Sequence, residues 1–387
     1  MATSVTSIDF YSDDNVILLN PRWPKPEGDS LRAVAEHAIQ ERDLKGHFFI
    51  ATSGSTAESI GATKLVALRK EAIRNSAAAV NLHLGASEKD TWAQVLPTFH
   101  VGGLGIEARA YLSGARVAPA LLNGKWDVEH FYKTLVDESV TLSALVPTQV
   151  HDLLTAGYSS PMSMRAIVVG GGAMPEDLYQ RAREKGWPVL PSYGMTETCS
   201  QIATAALESL REPGYPLVPL LGHADARKNI EGFLEVSATS LFTCYARMTA
   251  KGVQTWDPKV DNWFATEDRG DVVNGAIKVL GRDQDYVKIG GEGTNMARLR
   301  EILNLCVMEF APRLVHQVTV LDVKSERLGS EIHLVSTLTP EDSEAIAAAF
   351  TQKVLPFEKP RKIHYIDEIP RSDLGKILWG ELRKRLS

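Results

Sequence analysis

The sequence has few cysteines, no long apolar segment and no excess of basic residues. Its 387 residues include three cysteines, which form neither a disulfide framework nor a zinc-binding spacing, so a reducing compartment is expected. No run approaches the roughly 18 apolar residues of a membrane-spanning helix, and the first residues lack a signal-peptide pattern. The net charge of −6 argues against a nucleic-acid-binding protein. A cytoplasmic protein is expected.

The pattern of apolar residues predicts an α/β fold, followed by a region with more β-strands. Short apolar runs such as Thr141–Val146 and Met164–Val169 alternate with helical patterns such as Lys70–Leu84, which indicates a parallel sheet. Such sheets bind ligands at the carboxyl ends of their strands. From about residue 231 the pattern is richer in β-strands, and the turn-rich residues 281–285 suggest a boundary. We expect domains at 1–281 and 282–387. A last helix is expected to begin near Lys376, with Ser372 or Asp373 as its cap.

The segment Ser192–Thr198 carries the strongest chemical signal in the chain. It offers an aromatic ring, a glycine backbone, hydroxyl groups and one carboxylate. These groups suit an adenine ring, a phosphate and a magnesium ion, so the segment predicts a nucleotide site. Glu197 has two interpretations: it pairs with a surface base, or it binds Mg²⁺, a hard cation that prefers carboxylate oxygen.

A second polar segment follows the predicted strand His47–Thr52. Its hydroxyls and backbone N–H groups can surround a β- or γ-phosphate, although the spacing is not that of a Walker loop. The alternative is a surface turn rich in serine and threonine. Lys64 either supplies charge to the phosphate or is a solvated lysine. The candidate phosphate-binding residues are Thr52, Ser53, Gly54, Ser55, Thr56 and Lys64.

Four further features are individually ambiguous. His100 either makes structural hydrogen bonds or lines a substrate pocket. The glycines at 170–172 form a tight turn or leave room for a flat ligand. Asp268 and Arg282 form a surface ion pair, which contributes little, or they bind a ribose. Lys376 taken alone is a surface lysine; only the joint pattern suggests a catalytic role.

In their order along the chain, these features resemble the adenylate-forming superfamily of acyl-CoA synthetases, peptide-synthetase adenylation domains and luciferases. The resemblance covers roughly residues 48–380, and Tyr193–Thr198 is its most specific part. The continuation Cys199–Ile202 looks like that of the o-succinylbenzoate–CoA ligases of menaquinone biosynthesis. The chain departs from the family pattern at Ala57, in the phosphate loop, and at Gln284, in the hinge. It is also shorter than family members on its N-terminal side.

The resemblance implies a large N-terminal domain of stacked mixed and parallel sheets with flanking helices and a β-rich subdomain, followed by a small, mobile α+β domain. It also implies a role for each candidate residue. The implied catalytic residues are Lys376, Thr196 and Glu197, with Glu197 also binding the metal. The residues implied to bind ATP or AMP are Thr52 to Thr56, Lys64, Gly171, Gly172, Ser192, Tyr193, Asp268 and Arg282. His100, Gly170 and Gly194 would contact the acyl substrate, Lys288, Gly290 and Gly291 would serve the thioester step, and Asp283 and Gln284 would form the hinge.

The activity implied by the resemblance is that of an ATP-dependent acid–CoA ligase that forms an acyl-adenylate. Its substrates would be a small carboxylic acid, most specifically o-succinylbenzoate, with ATP, Mg²⁺ and CoA as a co-substrate. Two alternatives stay open: a ligase for another aryl or acyl acid, and a catalytically silent nucleotide-binding homologue with an altered phosphate loop. No nucleic acid partner or membrane span is expected, and a homo-oligomer is compatible with the sequence.

Overall fold

The chain divides into two compact units. The computed structural model describes residues 8–52, 63–282, 285–289, 292–325, 327–373 and 375–386. The first unit comprises the described residues of Met1–Arg227, Glu235–Ala265 and Val272–Lys278; the second comprises those of Lys228–Leu234, Thr266–Asp271 and Val279–Ser387. The division is therefore not a single cut in the sequence, because two short segments before residue 279 belong to the second unit.

The first unit opens with a mixed arrangement of strands and helices. Its first elements are β1 (Val16–Leu18), α1 (Lys25–Glu41), β2 (His47–Ala51), β3 (Leu65–Arg69) and α2 (Lys70–Leu84). Strand β1 is parallel to β2, and β2 is antiparallel to β3. Helix α1 buries one apolar face, which includes Leu31 and Val34, against these strands. Helix α2 ends as expected at Gly85, whose φ of +57° a glycine adopts without strain.

A six-stranded sheet forms the centre of the first unit. Its elements are β4 (Thr91–Gln94), α3 (Val101–Ser113), β5 (Arg116–Pro119), α4 (Val128–Asp137), β6 (Leu142–Leu145), α5 (Pro147–Thr155), β7 (Ala166–Val169), α6 (Glu176–Glu184), β8 (Val189–Met195) and β9 (Ser200–Thr204). The strand order is β5-β4-β6-β7-β8-β9. All neighbours are parallel except β8 and β9. The chain goes from β4 to β5 on one side and to β6 on the other, and such a reversal of strand order opens a crevice at the carboxyl end of a sheet.

Six further strands follow in the chain. They are β10 (Ala224–Lys228), β11 (Phe233–Ala238), β12 (Cys244–Thr249), β13 (Gly252–Trp256), β14 (Phe264–Val273) and β15 (Ala276–Arg282). Strands β12 and β13 extend the first sheet to the order β1-β2-β3-β12-β13, and the other four form a sheet in the order β10-β11-β14-β15. The pairing of β12 with β3 brings residues near 245 beside residues near 66, a contact of long sequence separation.

The second unit contains a small α+β arrangement. Its further elements are β16 (Tyr286–Ile289), β17 (Glu292–Asn295), α7 (Met296–Phe310), β18 (Val318–Ser325), β19 (Gly329–Ser336), α8 (Pro340–Lys353), β20 (Lys362–Tyr365) and α9 (Trp379–Leu386). Strands β18, β19 and β20 form one sheet in that order. One core cluster includes residues of α7 and α8, and a second includes Leu382 of α9, because alternate strand residues point to opposite sides.

The predicted start of the last helix is wrong. We expected it near Lys376, with Ser372 or Asp373 as its cap, whereas α9 begins at Trp379. A tight turn occupies the preceding residues: Gly375 has a φ of +72°, and the backbone N–H of Ser372 donates to the carbonyl of Lys376 at 2.7 Å. The backbone groups that a helix start would have used are therefore engaged in this turn.

Candidate functional site

The end of strand β8 is shaped by an unusually close approach to β9. A Cβ atom at Gly194 would lie 2.1 Å from the carbonyl oxygen of Ser200, so any other residue would force the strands apart. The pairing of the two strands shifts its register between Tyr193 and Gly194. Gly194 is thus required by the backbone itself, whatever further role it has toward a substrate.

A short turn then presents the acidic part of the motif. Residues Thr196–Thr198 form one 3₁₀ turn. The Thr198 hydroxyl accepts from the N–H of Met195 at 3.0 Å and donates to the carbonyl of Ser200 at 2.6 Å. Cys199 and Ser200 have positive φ angles of 54° and 110°. Such conformations cost energy in residues other than glycine and cluster at functional sites. The turn that carries Thr196 and Glu197 is therefore held by its own side chain and backbone.

The carboxylate of Glu197 lies in a basic and aromatic setting. Its Oε1 accepts from the Tyr245 hydroxyl at 2.8 Å and lies 3.6 Å from Lys64 Nζ. The Lys64 ammonium also lies over the Tyr245 ring, 3.6 Å from its centroid. The Glu197 side chain is only 12% exposed, whereas that of Lys64 is 33% exposed. The three side chains hold one another in place, so the carboxylate has a defined direction.

The position of Lys64 follows from the pairing of the strands. The Thr52 N–H donates to the Lys64 carbonyl at 3.0 Å, so the predicted phosphate-binding threonine and lysine are neighbours. Tyr245 pairs with Val66 across β12 and β3, which places its ring beside Lys64. Sequence reasoning missed Tyr245. Nothing local to its strand signals this contact, which depends on a pairing between distant segments.

The glycine segment after β7 lies against the start of the motif. A Cβ at Gly170 would lie 2.9 Å from Ser192 Oγ, and Ser192 Oγ donates to the Val169 carbonyl at 2.9 Å. Gly171 has a φ of +76°, which favours glycine. The carboxyl ends of the parallel strands β7 and β8 thus bring together the predicted adenine-binding residues near 170 and 192.

Helix α3 carries a second feature that sequence reasoning missed. Arg109 lies nine residues beyond His100, which precedes the helix, and it is 1% exposed. Its Nη2 donates to Ser200 Oγ at 3.0 Å and to Gln201 Oε1 at 2.7 Å. The only available signal in the sequence was an arginine within a helical stretch of mostly small and apolar residues, in which Glu107 is the other charged residue.

The charge on Arg109 has no compensating anion in the described part of the chain. Among those residues, its Nε and Nη1 atoms have no hydrogen-bond partner. Burial lowers the pKa of the Arg109 guanidinium to about 10. A buried donor group without a partner carries a large desolvation cost. An anionic ligand that reaches these two nitrogens would relieve that cost.

Asp268 and Arg282, both in the second unit, are brought together. Arg282 Nε donates to Asp268 Oδ1 at 3.2 Å. The Asp268 side chain is 10% exposed and the Arg282 side chain is 52% exposed. The Asp268 N–H donates to the hydroxyl of Thr266 at 3.1 Å, which in turn donates to the Leu234 carbonyl at 2.8 Å. A carboxylate fixed in this way is suited to accept hydrogen bonds from a ligand hydroxyl pair.

The remaining predicted site residues are spread over the chain. Lys288 lies on β16, where it pairs with Gly293, and it is exposed. Lys376 is exposed in the second unit, in the turn before α9. The following predicted residues lie outside the described part of the chain: Ser53, Gly54, Ser55, Thr56, Asp283, Gln284, Gly290 and Gly291.

Comparison with known proteins identifies the family of the chain. A family model described as AMP-binding enzyme matches residues 11–224, more than half of the sequence. The chain belongs to this family. The predicted superfamily and the α/β fold class are thereby confirmed. Among the described helices, none is long and apolar enough to cross a membrane.

Relatives within the AMP-binding enzyme family align with most of the chain at moderate identity. The 2-succinylbenzoate–CoA ligase of Bacillus cytotoxicus is 31% identical over 350 residues, which cover 87% of this chain and 69% of the relative. The o-succinylbenzoate CoA synthetase of Bacillus subtilis in complex with the acyl-adenylate OSB-AMP is 27% identical, with a TM-score of 0.70 and coverage of 87% and 68%. The same enzyme with ATP and a magnesium ion is 25% identical, with a TM-score of 0.69 and coverage of 87% and 69%.

Proposed function

We propose that this chain is an ATP-dependent acid–CoA ligase that acts through an acyl-adenylate, and that its acid is o-succinylbenzoate. The observation that carries the ligase activity is the fixed carboxylate of Glu197, held by Lys64 and Tyr245 at the carboxyl end of β8. Membership of the AMP-binding enzyme family supports it. The names of the relatives support the choice of acid.

In the first half-reaction, a carboxylate oxygen of the acid attacks the α-phosphorus of ATP. The bond from that phosphorus to the bridging oxygen breaks, pyrophosphate leaves, and the acyl-adenylate remains. Negative charge is concentrated on the phosphoryl oxygens, so positioning and electrostatic stabilisation supply most of the catalysis. Thr196 is assigned to the α-phosphate, and Lys376 to the carboxylate and the α-phosphate.

Glu197 is the residue proposed to bind Mg²⁺. The fit is supported by the chemistry of the donor, because carboxylate oxygen is a preferred ligand of this cation. Both described polar contacts of the carboxylate, those with Tyr245 and Lys64, are made by Oε1. When bound, the ion neutralises phosphate charge. Thr52 and Lys64 are assigned to the pyrophosphate end of ATP, together with the loop residues 53–56.

The adenine and the ribose of ATP are each assigned to a separate group of residues. Gly171, Gly172, Ser192 and Tyr193 are proposed to line the adenine, since the strand ends bring Gly170, the first glycine of that segment, beside Ser192. Asp268 and Arg282 are proposed to bind the ribose, with Asp268 accepting from its hydroxyls. The tight hydrogen bonding of Asp268 supports this assignment, because an oriented carboxylate loses less entropy when a ligand binds.

Arg109 supports the proposal that the acid is a dicarboxylate. o-Succinylbenzoate retains one carboxylate when the other is activated, and this second anion needs a partner. Arg109 is buried, and the described hydrogen bonds of its side chain are with the neutral side chains of Ser200 and Gln201. It is on the helix that follows His100, which is assigned to the acyl pocket together with Gly170 and Gly194. A bidentate guanidinium–carboxylate contact would be strong there.

In the second half-reaction, the thiol of CoA attacks the acyl carbon, its proton is lost, and AMP leaves. We assign Lys288, Gly290 and Gly291 to this step. The small domain, 282–387, is proposed to turn about Asp283 and Gln284 between the two half-reactions. This rotation would withdraw Lys376 and bring the residues of the thioester step toward the pantetheine arm of CoA.

The test is acid-dependent release of pyrophosphate across a panel of acids with ATP and Mg²⁺. We expect o-succinylbenzoate to give the highest kcat/KM, and CoA to convert the bound adenylate to the thioester. A clear preference for another aryl or fatty acid would assign the chain to that substrate instead. ATP binding without acid-dependent pyrophosphate release would identify a catalytically silent nucleotide-binding protein.

A further inference from the structure

Arg300, on the buried side of α7, makes contacts that reach two separate segments of the second unit. Its Nη1 donates to Asp285 Oδ1 at 2.5 Å and its Nε to the carbonyl of Val320 at 3.4 Å. The side chains of Arg300 and Asp285 are only 21% and 18% exposed. Burial lowers the pKa of the Arg300 guanidinium, and the carboxylate of Asp285 opposes that effect. This ion pair is better shielded from solvent than a typical surface pair.

The flat face of the same guanidinium covers the ring of Trp379. The guanidinium carbon lies 4.0 Å from the ring centroid, which is a close cation–π geometry. Trp379 is the first residue of α9 and packs against the core cluster that includes Val335 and Leu382. Arg300 therefore joins the start of α9 to the start of β16, which follows Asp285.

Trp379 lies at the base of the turn that carries Lys376. Arg371 and Ile377 form a bridge across this turn, and the Ser372 N–H donates to the Lys376 carbonyl at 2.7 Å. The Leu378 N–H donates to the carbonyl of Pro370 at 2.9 Å. The described residues on the two sides of this turn are thus joined by hydrogen bonds. The direction of the turn depends on what holds its base, and Arg300 contacts that base through Trp379.

Asp285, the other partner of Arg300, adjoins the predicted hinge in the sequence. It follows Asp283 and Gln284, which lie outside the described residues, and its Oδ2 accepts from the N–H of Arg282 at 3.3 Å. Arg300 hence connects the residue next to the hinge with the residue at the base of the lysine turn. Within the described residues, these contacts form a continuous path from Arg282 to Trp379.

We propose that Arg300 is a positioning residue for adenylation: held between Asp285 and Trp379, it fixes the direction of the turn that presents Lys376. This inference rests on the proposed function, because the role of Lys376 belongs to it. Misplacement of a catalytic group by about 1 Å can lower a rate strongly. Loss of the Arg300 contacts should therefore slow the half-reaction that uses Lys376 and spare the one that does not.

The first measurement is hydrogen exchange in the full-length chain, which needs no substrate. We expect Arg300→Met to raise amide exchange of residues 372–379 and to leave α8 unchanged. Arg300→Lys keeps a charge for Asp285 but loses the flat face over Trp379, so it should be intermediate. Lys353→Met is the matched control: it removes another ion pair of α7, with Glu309 at 2.7 Å, that does not touch the turn.

The second measurement separates the half-reactions. For Arg300→Met we expect kcat for acid-dependent ATP–pyrophosphate exchange to fall about ten-fold. KM for ATP and the rate of thiolysis of a supplied acyl-adenylate should stay within about two-fold of the wild-type values. A purely structural role would instead lower both half-reactions together, along with the melting temperature.

The outcomes distinguish the two proposals. Unchanged exchange in residues 372–379, or equal loss of both half-reactions, would overturn the role of Arg300. If the wild-type chain shows no acid-dependent pyrophosphate exchange, the proposed function fails, while the hydrogen-exchange result still decides whether Arg300 holds the turn. If Arg300→Met does not fold, Arg300→Lys and Trp379→Leu, which removes only the ring, provide the same comparison.

Discussion

Lys64 and Glu197 lie 3.6 Å apart, and both contact Tyr245. This relationship joins two segments that are more than a hundred residues apart in the sequence. An ammonium next to a carboxylate offers a site for both partners of an ATP–magnesium pair, because the phosphates attract the lysine and the cation attracts the acid. Binding would thus exchange an internal ion pair for contacts with the ligand.

We predict that Glu197→Gln lowers acid-dependent pyrophosphate release by about 10²-fold, since the metal loses a charged ligand at the site of developing charge. The Mg²⁺ concentration needed for half-maximal rate should rise as well. Tyr245→Phe, which removes the hydroxyl that donates to Glu197 but keeps both the carboxylate and the ring beneath Lys64, should have a smaller effect. A Mg²⁺ titration of both variants checks the prediction. Equal Mg²⁺ dependence of the rate in wild type and Glu197→Gln would show that Glu197 does not bind the metal.

The Arg109 guanidinium should discriminate between acids with one and with two carboxylates. We expect Arg109→Met to raise KM for o-succinylbenzoate by about 10²-fold, because a charge-assisted hydrogen bond in a buried site is lost. KM for benzoate, which has no second carboxylate, should change little. Steady-state kinetics with both acids provide the measurement. If both KM values rise together, the arginine has a structural role, which the melting temperature would also reveal.

Much of the fold could be predicted from the sequence because the signals are local. The helix Lys70–Leu84 has the expected bounds, since its apolar period and Gly85 define it. The start of α9 could not be predicted, because the turn around Gly375 engages the backbone groups that a helix would have used. In such cases the first residue of a helix is decided by a contact between residues whose individual conformational preferences are weak.

In the candidate site, too, some residues could be predicted from the sequence and others could not. The segment Tyr193–Thr198 could be identified because its residue types are rare in that spacing. The contacts of Tyr245 and Arg109 could not, since they arise from the pairing of β12 with β3 and from the packing of α3 beside β9. A single sequence gives little indication of tertiary contacts of this kind.

Gly194 should tolerate no side chain. In Gly194→Ala, the new methyl group would meet the backbone of Ser200 and Gln201 at 2.1 and 2.4 Å, so β8 and β9 must separate. We expect a loss of about 3 kcal/mol in the free energy of unfolding, measured by urea denaturation. Gly222→Ala is the control, since its Cβ would have no atom within 4 Å. A Gly194→Ala variant as stable as the control would show that the two strands can move apart at little cost.

Lys376 should act in one half-reaction only. We predict that Lys376→Ala lowers acyl-adenylate formation by about 10²–10³-fold, the usual effect of removing a group that stabilises developing charge. Thiolysis of a supplied acyl-adenylate should keep its wild-type rate, because that step does not form the charged phosphoryl centre. Lys384→Ala, an exposed lysine on α9, controls for a general loss of positive charge. Single-turnover assays of the two steps give the measurement. Equal loss in both would contradict the assigned role, since a lysine that only stabilised the fold would slow every step alike.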